Sequence, residues 1–264
     1  MGDLNSADNN NKMVIVPGGT FQMYSQKVSV SSFSISKFYI DQGEWVEVMG
    51  DNPSHFNDNL NNPVENVSWY DAIVYCNKRS IKEGLTPVYS ISGSNEPSSW
   101  GAVPDAINST WDTVTADWFA NGYRLPAEME WMWAAMGADT ANPGQVNLTG
   151  YNKVFAGSTG VNCINDYAWT SGNSGETTHQ VGTKLMNELG LYNMSGNLWQ
   201  WCWDWYRNYP MGPQKDYRGT VSGMRRVLHG GSWYDDQSHA TVAYRADRNP
   251  FNQLNNIGFC VVRT

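Results

Sequence analysis

The sequence predicts an irregular α+β domain of short strands, few helices and long packed loops. Three observations point there. Charged residues make up only 16% of the 264-residue chain and hydrophobic residues an ordinary 41%, so Gly, Asn and Ser fill much of the balance, and the chain carries 13 tryptophans. Large rings among polar loop-formers suit a turn-rich fold better than a helical bundle. β-forming residues come in short runs broken by Gly and Pro, and helix start signals occur at only a few places.

The elements follow in order. Met13-Val-Ile-Val-Pro-Gly-Gly-Thr-Phe-Gln-Met23 reads as a hairpin turning at Pro-Gly-Gly. Val28 to Ile40 alternates Ser or Lys with Val, Phe, Ile and Tyr, which predicts a further strand. Asp41 caps a short helix, Gln42 to Met49, stopped by Gly50 and Pro53. The clearest helix begins at Ser68, which forms an S-x-x-D capping pattern with Asp71, and Ala72, Ile73 and Cys76 mark its apolar face through about Ile81. Another follows Arg124-Leu125-Pro126, with Pro126 at its first position, Glu128 and Glu130 at its positive end, Trp131, Ala134 and Ala135 on its apolar face, and Gly137 as its stop. Residues 121–190 mix Gly, Asn, Ser and Thr with aromatic residues, the pattern of packed irregular structure rather than a linker.

No composition break or repeat divides the chain, so we expect one domain over 13–264 behind a disordered polar leader or tether at 1–12. Net charge is −8 and the isoelectric point about 4.9. That balance repels phosphate backbones, and no Lys/Arg cluster offsets it, which argues against nucleic-acid partners. The cysteines Cys76, Cys163, Cys202 and Cys260 form no C-x-x-C pair, and the histidines His55, His179, His229 and His239 are scattered, so zinc-site spacing is absent. Free, mostly buried thiols are expected. No apolar run reaches the ~20 residues of a membrane span.

Several segments together resemble the formylglycine-generating-enzyme, or sulfatase-modifying factor, family. They are Met13 to Phe21, Asn52-Pro-Ser-His-Phe56, Pro63-Val-Glu-Asn-Val-Ser-Trp-Tyr-Asp-Ala72, Gly122-Tyr-Arg-Leu-Pro-Ala-Glu-Met-Glu-Trp131, Gly190-Leu-Tyr-Asn-Met-Ser-Gly-Asn-Leu-Trp-Gln-Trp201, Gly230-Gly-Ser-Trp233 and Gly258-Phe259. The resemblance implies the C-type lectin fold of that family, a mixed α+β core with little regular secondary structure. Gly230-Gly231 would let the backbone turn sharply beside a large ring. Trp199, Trp201, Trp203 and Trp205 alternate on an extended segment, and we read them as core rather than as a sugar platform. Arg124 and Arg245 have the donor forks for buried pairs and are read as structural.

The family's enzymes use two cysteines that hold copper(I). The matching positions here hold Asp235 and Ala240, which offer no soft ligand, so no copper and no catalysis are expected. The family's structural calcium site maps onto Asn193, Gly196, Leu198 and Gln200, where Gln200 stands in place of a carboxylate. That loss of charge implies a weak or empty site, the alternative being a turn held by direct hydrogen bonds.

From Arg226 to Thr264 a recognisable frame (Gly230, Gly231, Ser232, Trp233, Ala243, Arg245, Pro250, Gly258, Phe259) alternates with residues that follow no helical or strand period. These are Tyr234, Asp235, Asp236, His239, Tyr244, Ala246, Asp247, Arg248, Phe251 and Leu254. The arrangement resembles the variable proteins of diversity-generating retroelements, in which adenine-directed mutagenesis alters chosen codons of a C-terminal patch. Asn249, Asn252, Asn255 and Asn256 would then be unaltered template codons. The resemblance implies a ligand-binding monomer on a bacterial surface, with a protein or glycan partner and membrane contact only through a lipid anchor upstream. An oxidase of sulfatase cysteines and a fixed-specificity carbohydrate-binding lectin are the alternatives.

Overall fold

The computed structural model describes residues 12–264. The expected leader falls almost wholly outside that range. Its last residue, Lys12, is already tied down, since its carbonyl accepts from the Lys37 amide at 2.7 Å.

The first strands, β1 (Met13–Val16), β2 (Gly19–Met23), β3 (Gln26–Val30) and β4 (Phe33–Ser36), revise the expected hairpin. β1 does not pair with β2 across Pro17-Gly18. It pairs antiparallel with β4, Met13 opposite Ser36 and Val16 opposite Phe33, while β2 pairs with β3. Backbone crowding explains the handover. A Cβ on Gly18 would lie 2.9 Å from both the Ser32 amide and the Val30 carbonyl, so the chain passes hard against the 30–32 bend as it changes sheets. The expected single strand over 28–40 is likewise broken between β3 and β4.

Helix α1 (Gln42–Met49) starts where Asp41 Oδ1 accepts from the Glu44 amide at 2.7 Å, and Gly50 closes it at φ +96°. Helix α2 (Trp69–Lys82) carries the full capping box. Ser68 Oγ accepts from the Asp71 amide at 3.0 Å, and Asp71 Oδ2 accepts from the Ser68 amide at 2.9 Å. The strand pair β5 (Tyr89–Ser90) and β6 (Thr115–Ala116) brackets the short helix α3 (Ser109–Asp112).

Helix α4 (Glu128–Ala135) departs most from expectation, because every one of its residues is buried. It has no solvent face, so its carboxylates do more than complement the helix dipole: each is held by cations inside the protein. β7 (Trp199–Trp205) is likewise lined on both faces, with Trp201, Cys202 and Asp204 all at 1% exposure or less. The tryptophans are core, as read. Their strand lies between β9 (Arg226–His229) and β11 (Ile257–Gly258), with β10 (Arg245–Arg248) beyond β9. β8 (Gln214–Lys215) adds to β3, and β12 (Val262–Arg263) closes the first sheet against β4.

One core cluster gathers α2, β5, Trp199, Trp201 and the 257–261 segment. A second gathers β1 to β4 against α4. Arg226 is buried with its guanidinium 3.6 Å from the Trp69 ring centre and 3.4 Å from that of Trp205, an arrangement in which the rings stabilise the charge. All four cysteines are free; Cys76, Cys202 and Cys260 are buried and Cys163 is exposed. Among the described residues no helix is long and apolar enough to cross a membrane.

Candidate functional site

The C-terminal segment separates frame from surface. Gly230, Gly231, Ser232, Trp233, Pro250, Gly258 and Phe259 are buried. Between them Tyr234, Asp236, Tyr244 and Arg248 are exposed, and Asp235, His239, Ala246, Asp247, Phe251 and Leu254 are half-buried. No candidate residue is buried. The frame glycines show why only glycine fits. Gly230 and Gly231 sit at φ +99° and +73°, and a Cβ on Gly231 would meet the His239 carbonyl at 3.0 Å.

One group of candidates gathers on Trp199, at the start of the buried strand. The Trp199 ring lies 5.9 Å from Tyr244 and 6.2 Å from His239, and its indole N–H donates to Asp235 Oδ2 at 2.8 Å. Tyr244 and His239 touch each other at 4.6 Å between ring centres. Asp235 also takes the Ser232 hydroxyl, and its backbone carbonyl accepts from the Ser171 amide at 2.9 Å. Its carboxylate is therefore committed to the loop that carries the group. Asp236 caps the short turn at Gln237–Ala240, accepting from the Ser238 hydroxyl at 2.5 Å and the Ser238 amide at 2.7 Å, and these bonds hold its carboxyl below the usual range.

The other group follows the edge strand and its return loop. β10 pairs antiparallel with β9, setting Ala246 opposite Leu228 and Asp247 opposite Val227, and Asp247 is paired with Arg225 at 3.3 Å. Ala246, Phe251 and Leu254 rest on the core cluster that contains Trp199. The return loop is tied back to the first group: Trp233 donates its indole N–H to the Asn255 carbonyl at 3.0 Å, and the Trp199 amide donates to Asn256 at 2.9 Å.

Arg245 anchors β10 from within the frame. Its guanidinium donates to Glu128 Oε2 at 2.7 Å and to the Arg207 carbonyl at 2.7 Å, and lies 4.4 Å and 4.2 Å from the Tyr206 and Tyr209 ring centres. Glu128 also accepts from Tyr209 and from His229, each at 2.9 Å. Although burial opposes ionisation, His229 and Arg245 keep its carboxyl below the ordinary range. The reading of Arg245 as a structural pair-former holds, and the same is true of Arg124, bidentate on Glu130.

Sequence reasoning missed the supports. Trp199 was read only with the other core tryptophans, and the loop residues Ser171 and Ser174, which bond to the Asp235 and Trp233 carbonyls, carry no periodic signal. Glu65 was missed too. It is buried, accepts from the Phe56 amide at 2.7 Å, and so holds a ring lying 5.3 Å from Trp233.

Burial raises the Glu65 carboxyl to about 7. Burial, with Glu128 nearby, raises that of Asp204 to about 8. Asp204 Oδ2 accepts from the Glu128 amide at 2.7 Å, while Oδ1 has no hydrogen-bond partner among the described residues. Both groups favour the fold when protonated, so their contribution is full below the ordinary carboxylate range and is lost as pH rises through 7 and 8. Glu130, held at about 2 chiefly by Arg124 against the cost of burial, acts oppositely and loses its contribution only in strong acid. The melting temperature should therefore fall between about pH 5 and about pH 8, and Asp204→Asn should flatten the fall. Calorimetry across that range checks it, and a melting temperature that rises toward pH 8 would contradict it.

Of the calcium positions, Asn193, Gly196 and Leu198 fall in the turn leading into β7, and Gln200 is the second residue of that strand. Their oxygens already face protein donors: Asn193 Oδ1 accepts from the Gly182 amide at 3.2 Å and Gln200 Oε1 from the Trp131 indole at 3.1 Å, while the Gly196 and Leu198 carbonyls, at 2.9 Å and 2.5 Å, share the single proton of the Tyr39 hydroxyl. Asn193 Nδ2 is a buried donor without a partner among the described residues. With Gln200 in place of a carboxylate the four positions bring no formal charge, so this set does not suit a divalent cation. Among the described residues no group of three or more His, Cys, Asp or Glu side chains could hold a metal.

Comparison with known proteins places this geometry. The chain is 38% identical to the chaperone protein LppX of Paenibacillus barcinonensis over 247 residues, covering 88% of this chain and 82% of that one. It is 31% identical to the formylglycine-generating enzyme of Streptomyces coelicolor over 170 residues, 58% of this chain but only half of the enzyme's length. The structure of Treponema denticola variable protein 1 superposes with a TM-score of 0.84 at 33% identity, covering 95% of this chain and 94% of that one. The family model described as a sulfatase-modifying factor enzyme 1-like domain matches residues 2–264, and the chain belongs to that family.

Proposed function

We propose that this chain is a non-catalytic ligand-binding protein that displays a diversified C-terminal patch, as the variable proteins of diversity-generating retroelements do. The observation that carries the proposal is the split between frame and surface: between residues 230 and 259 the candidate side chains all reach solvent while most of the recognisable frame is buried. The likeness to a Treponema variable protein over nearly its whole length supports it. Tyr234 and Tyr244 offer ring area at low entropic cost, and Asp236 and Arg248 offer charge for steering and register. The partner is a protein or glycan outside the cell, met at a bacterial surface where an upstream lipid anchor holds the chain.

Loss of catalysis follows from the residues at the copper positions. Asp235 is bound up with Trp199 and Ser232, and Ala240 is a buried methyl, so neither supplies a thiolate. Cys260 is buried and its thiol is pushed up to about 12, which keeps it protonated near neutral pH.

The relative that is a chaperone favours a second reading, in which the same surface holds one fixed protein partner. Sequencing this gene in independent isolates separates the two. Diversification predicts substitutions concentrated at the codons for Tyr234, Asp236, Tyr244, Arg248, Phe251 and Leu254, with Gly230, Gly231 and Trp233 unchanged and a reverse transcriptase gene nearby. Invariant patch codons would favour the fixed partner and overturn the proposal.

A further inference from the structure

The turn at residues 193–200 has the shape of a cation site but not its chemistry. Calcium takes about six to eight oxygen ligands and is held chiefly by carboxylates. Here the four positions contribute no formal charge, and placing a divalent ion among neutral buried groups carries a large desolvation cost. The oxygen that Asn193 would offer a cation accepts from the Gly182 N–H at 3.2 Å, and its Nδ2 has no hydrogen-bond partner among the described residues.

Tyr39 stands where the backbone carbonyls converge. It follows β4, and its neighbour Ile40 is pinned by a hydrogen bond from its amide to the Phe259 carbonyl at 3.0 Å. The ring packs with Leu198 and Trp233 in a small cluster of its own and is 2% exposed. The hydroxyl has one proton, which points between the Leu198 carbonyl at 2.5 Å and the Gly196 carbonyl at 2.9 Å and is shared by them, and its oxygen accepts weakly from the Leu198 amide at 3.4 Å. We propose that the Tyr39 hydroxyl takes the place of a cation in this turn, gathering the Gly196 and Leu198 carbonyls so that the entry to β7 is fixed without metal.

The consequence reaches the patch. The Gly196 amide donates to the Gly230 carbonyl at 2.8 Å and the Trp233 amide donates to Asn197 at 2.8 Å, so this turn sets the position of the Gly-Gly-Ser-Trp frame. Burial raises the phenol well above its ordinary range, so the hydroxyl keeps its proton near neutral pH.

Thermal melts of the full chain in excess calcium and in chelator test the proposal, together with Tyr39→Phe. The melting temperature of the unaltered protein should be the same in both, and Tyr39→Phe should lower it by about 3–6 °C in both. A calcium-dependent rise that Asn193→Ala abolishes would overturn the proposal, as would Tyr39→Phe melting with the parent. Should Tyr39→Phe fail to fold, amide chemical shifts of Gly196 and Leu198 in the unaltered protein decide. They should stay fixed as calcium is added, and movement at both would place the ion in the turn.

Discussion

Glu130→Ala is expected to remove about 3–5 kcal/mol of stability, a large part of the ~5–15 kcal/mol that holds a typical domain folded. The carboxylate lies inside a helix with no solvent face. It receives both terminal nitrogens of Arg124, at 2.6 Å and 2.9 Å, Arg218 at 2.7 Å and the Ala127 amide at 2.9 Å. Removing it leaves the Arg124 guanidinium, itself 1% exposed, as an uncompensated charge away from water. Glu130→Gln keeps the shape and one acceptor, and should fall between the parent and alanine. Arg218→Ala removes a cation that is one-quarter exposed and should cost no more than about 1 kcal/mol. Urea unfolding at neutral pH checks the order, and a Glu130→Ala midpoint close to that of the parent would contradict it.

The same helix shows where sequence reading stops. Its Gly137 stop was legible, because a left-handed glycine ends a helix locally, but its start was not: Pro126 lies outside the helix, which opens at Glu128 after Ala127, whose amide is taken by Glu130 Oε2. Its complete burial was not legible either, because the residues that cover its polar side, Arg218, His229 and Arg245, come from segments 88 to 117 residues away. The Ser68 capping box was legible because it too is local, and the pairing of β1 with β4 rather than β2 escaped notice because it is not. Pro-Gly-Gly signals a turn, but nothing local says that the turn leads into another sheet.

The candidate site was legible in a different way. Its residues stood out through their lack of period against a family frame, and that pattern gives positions without contacts. It could not show that Asp235 is fastened to Trp199 and Ser232 while Tyr234, two residues after Ser232, points to solvent at 69% exposure. Nor could it show Tyr39 beneath the calcium positions, since a tyrosine 157 residues upstream of Gly196 carries no mark of that contact.

A protein built to vary must keep its fold when the varied residues change, and this separates the account from an ordinary exposed loop. The frame has its own attachments. Trp233 is bonded through Asn197, Asn255 and Ser174, and Pro250 accepts from the Trp69 amide at 3.0 Å, so these hold whatever stands between them. Tyr234 and Arg248 bury little, and surface changes of this kind usually alter stability by about 0.5 kcal/mol or less. Tyr244, packed on Trp199 and His239, should cost up to about 1 kcal/mol, and replacing Asp236 also removes the cap of the 237–240 turn. Phe251 and Leu254, half-buried on the core cluster, should cost about 1 kcal/mol each.

Randomising Tyr234, Asp236, Tyr244, Arg248, Phe251 and Leu254 together, beside a second library at Gly231, Trp233, Arg245 and Pro250, measures this directly when folded clones are counted by protease resistance on displaying cells. Most of the first library should resist protease and almost none of the second. Equal losses from the two would contradict the claim that a rigid frame carries an exchangeable surface.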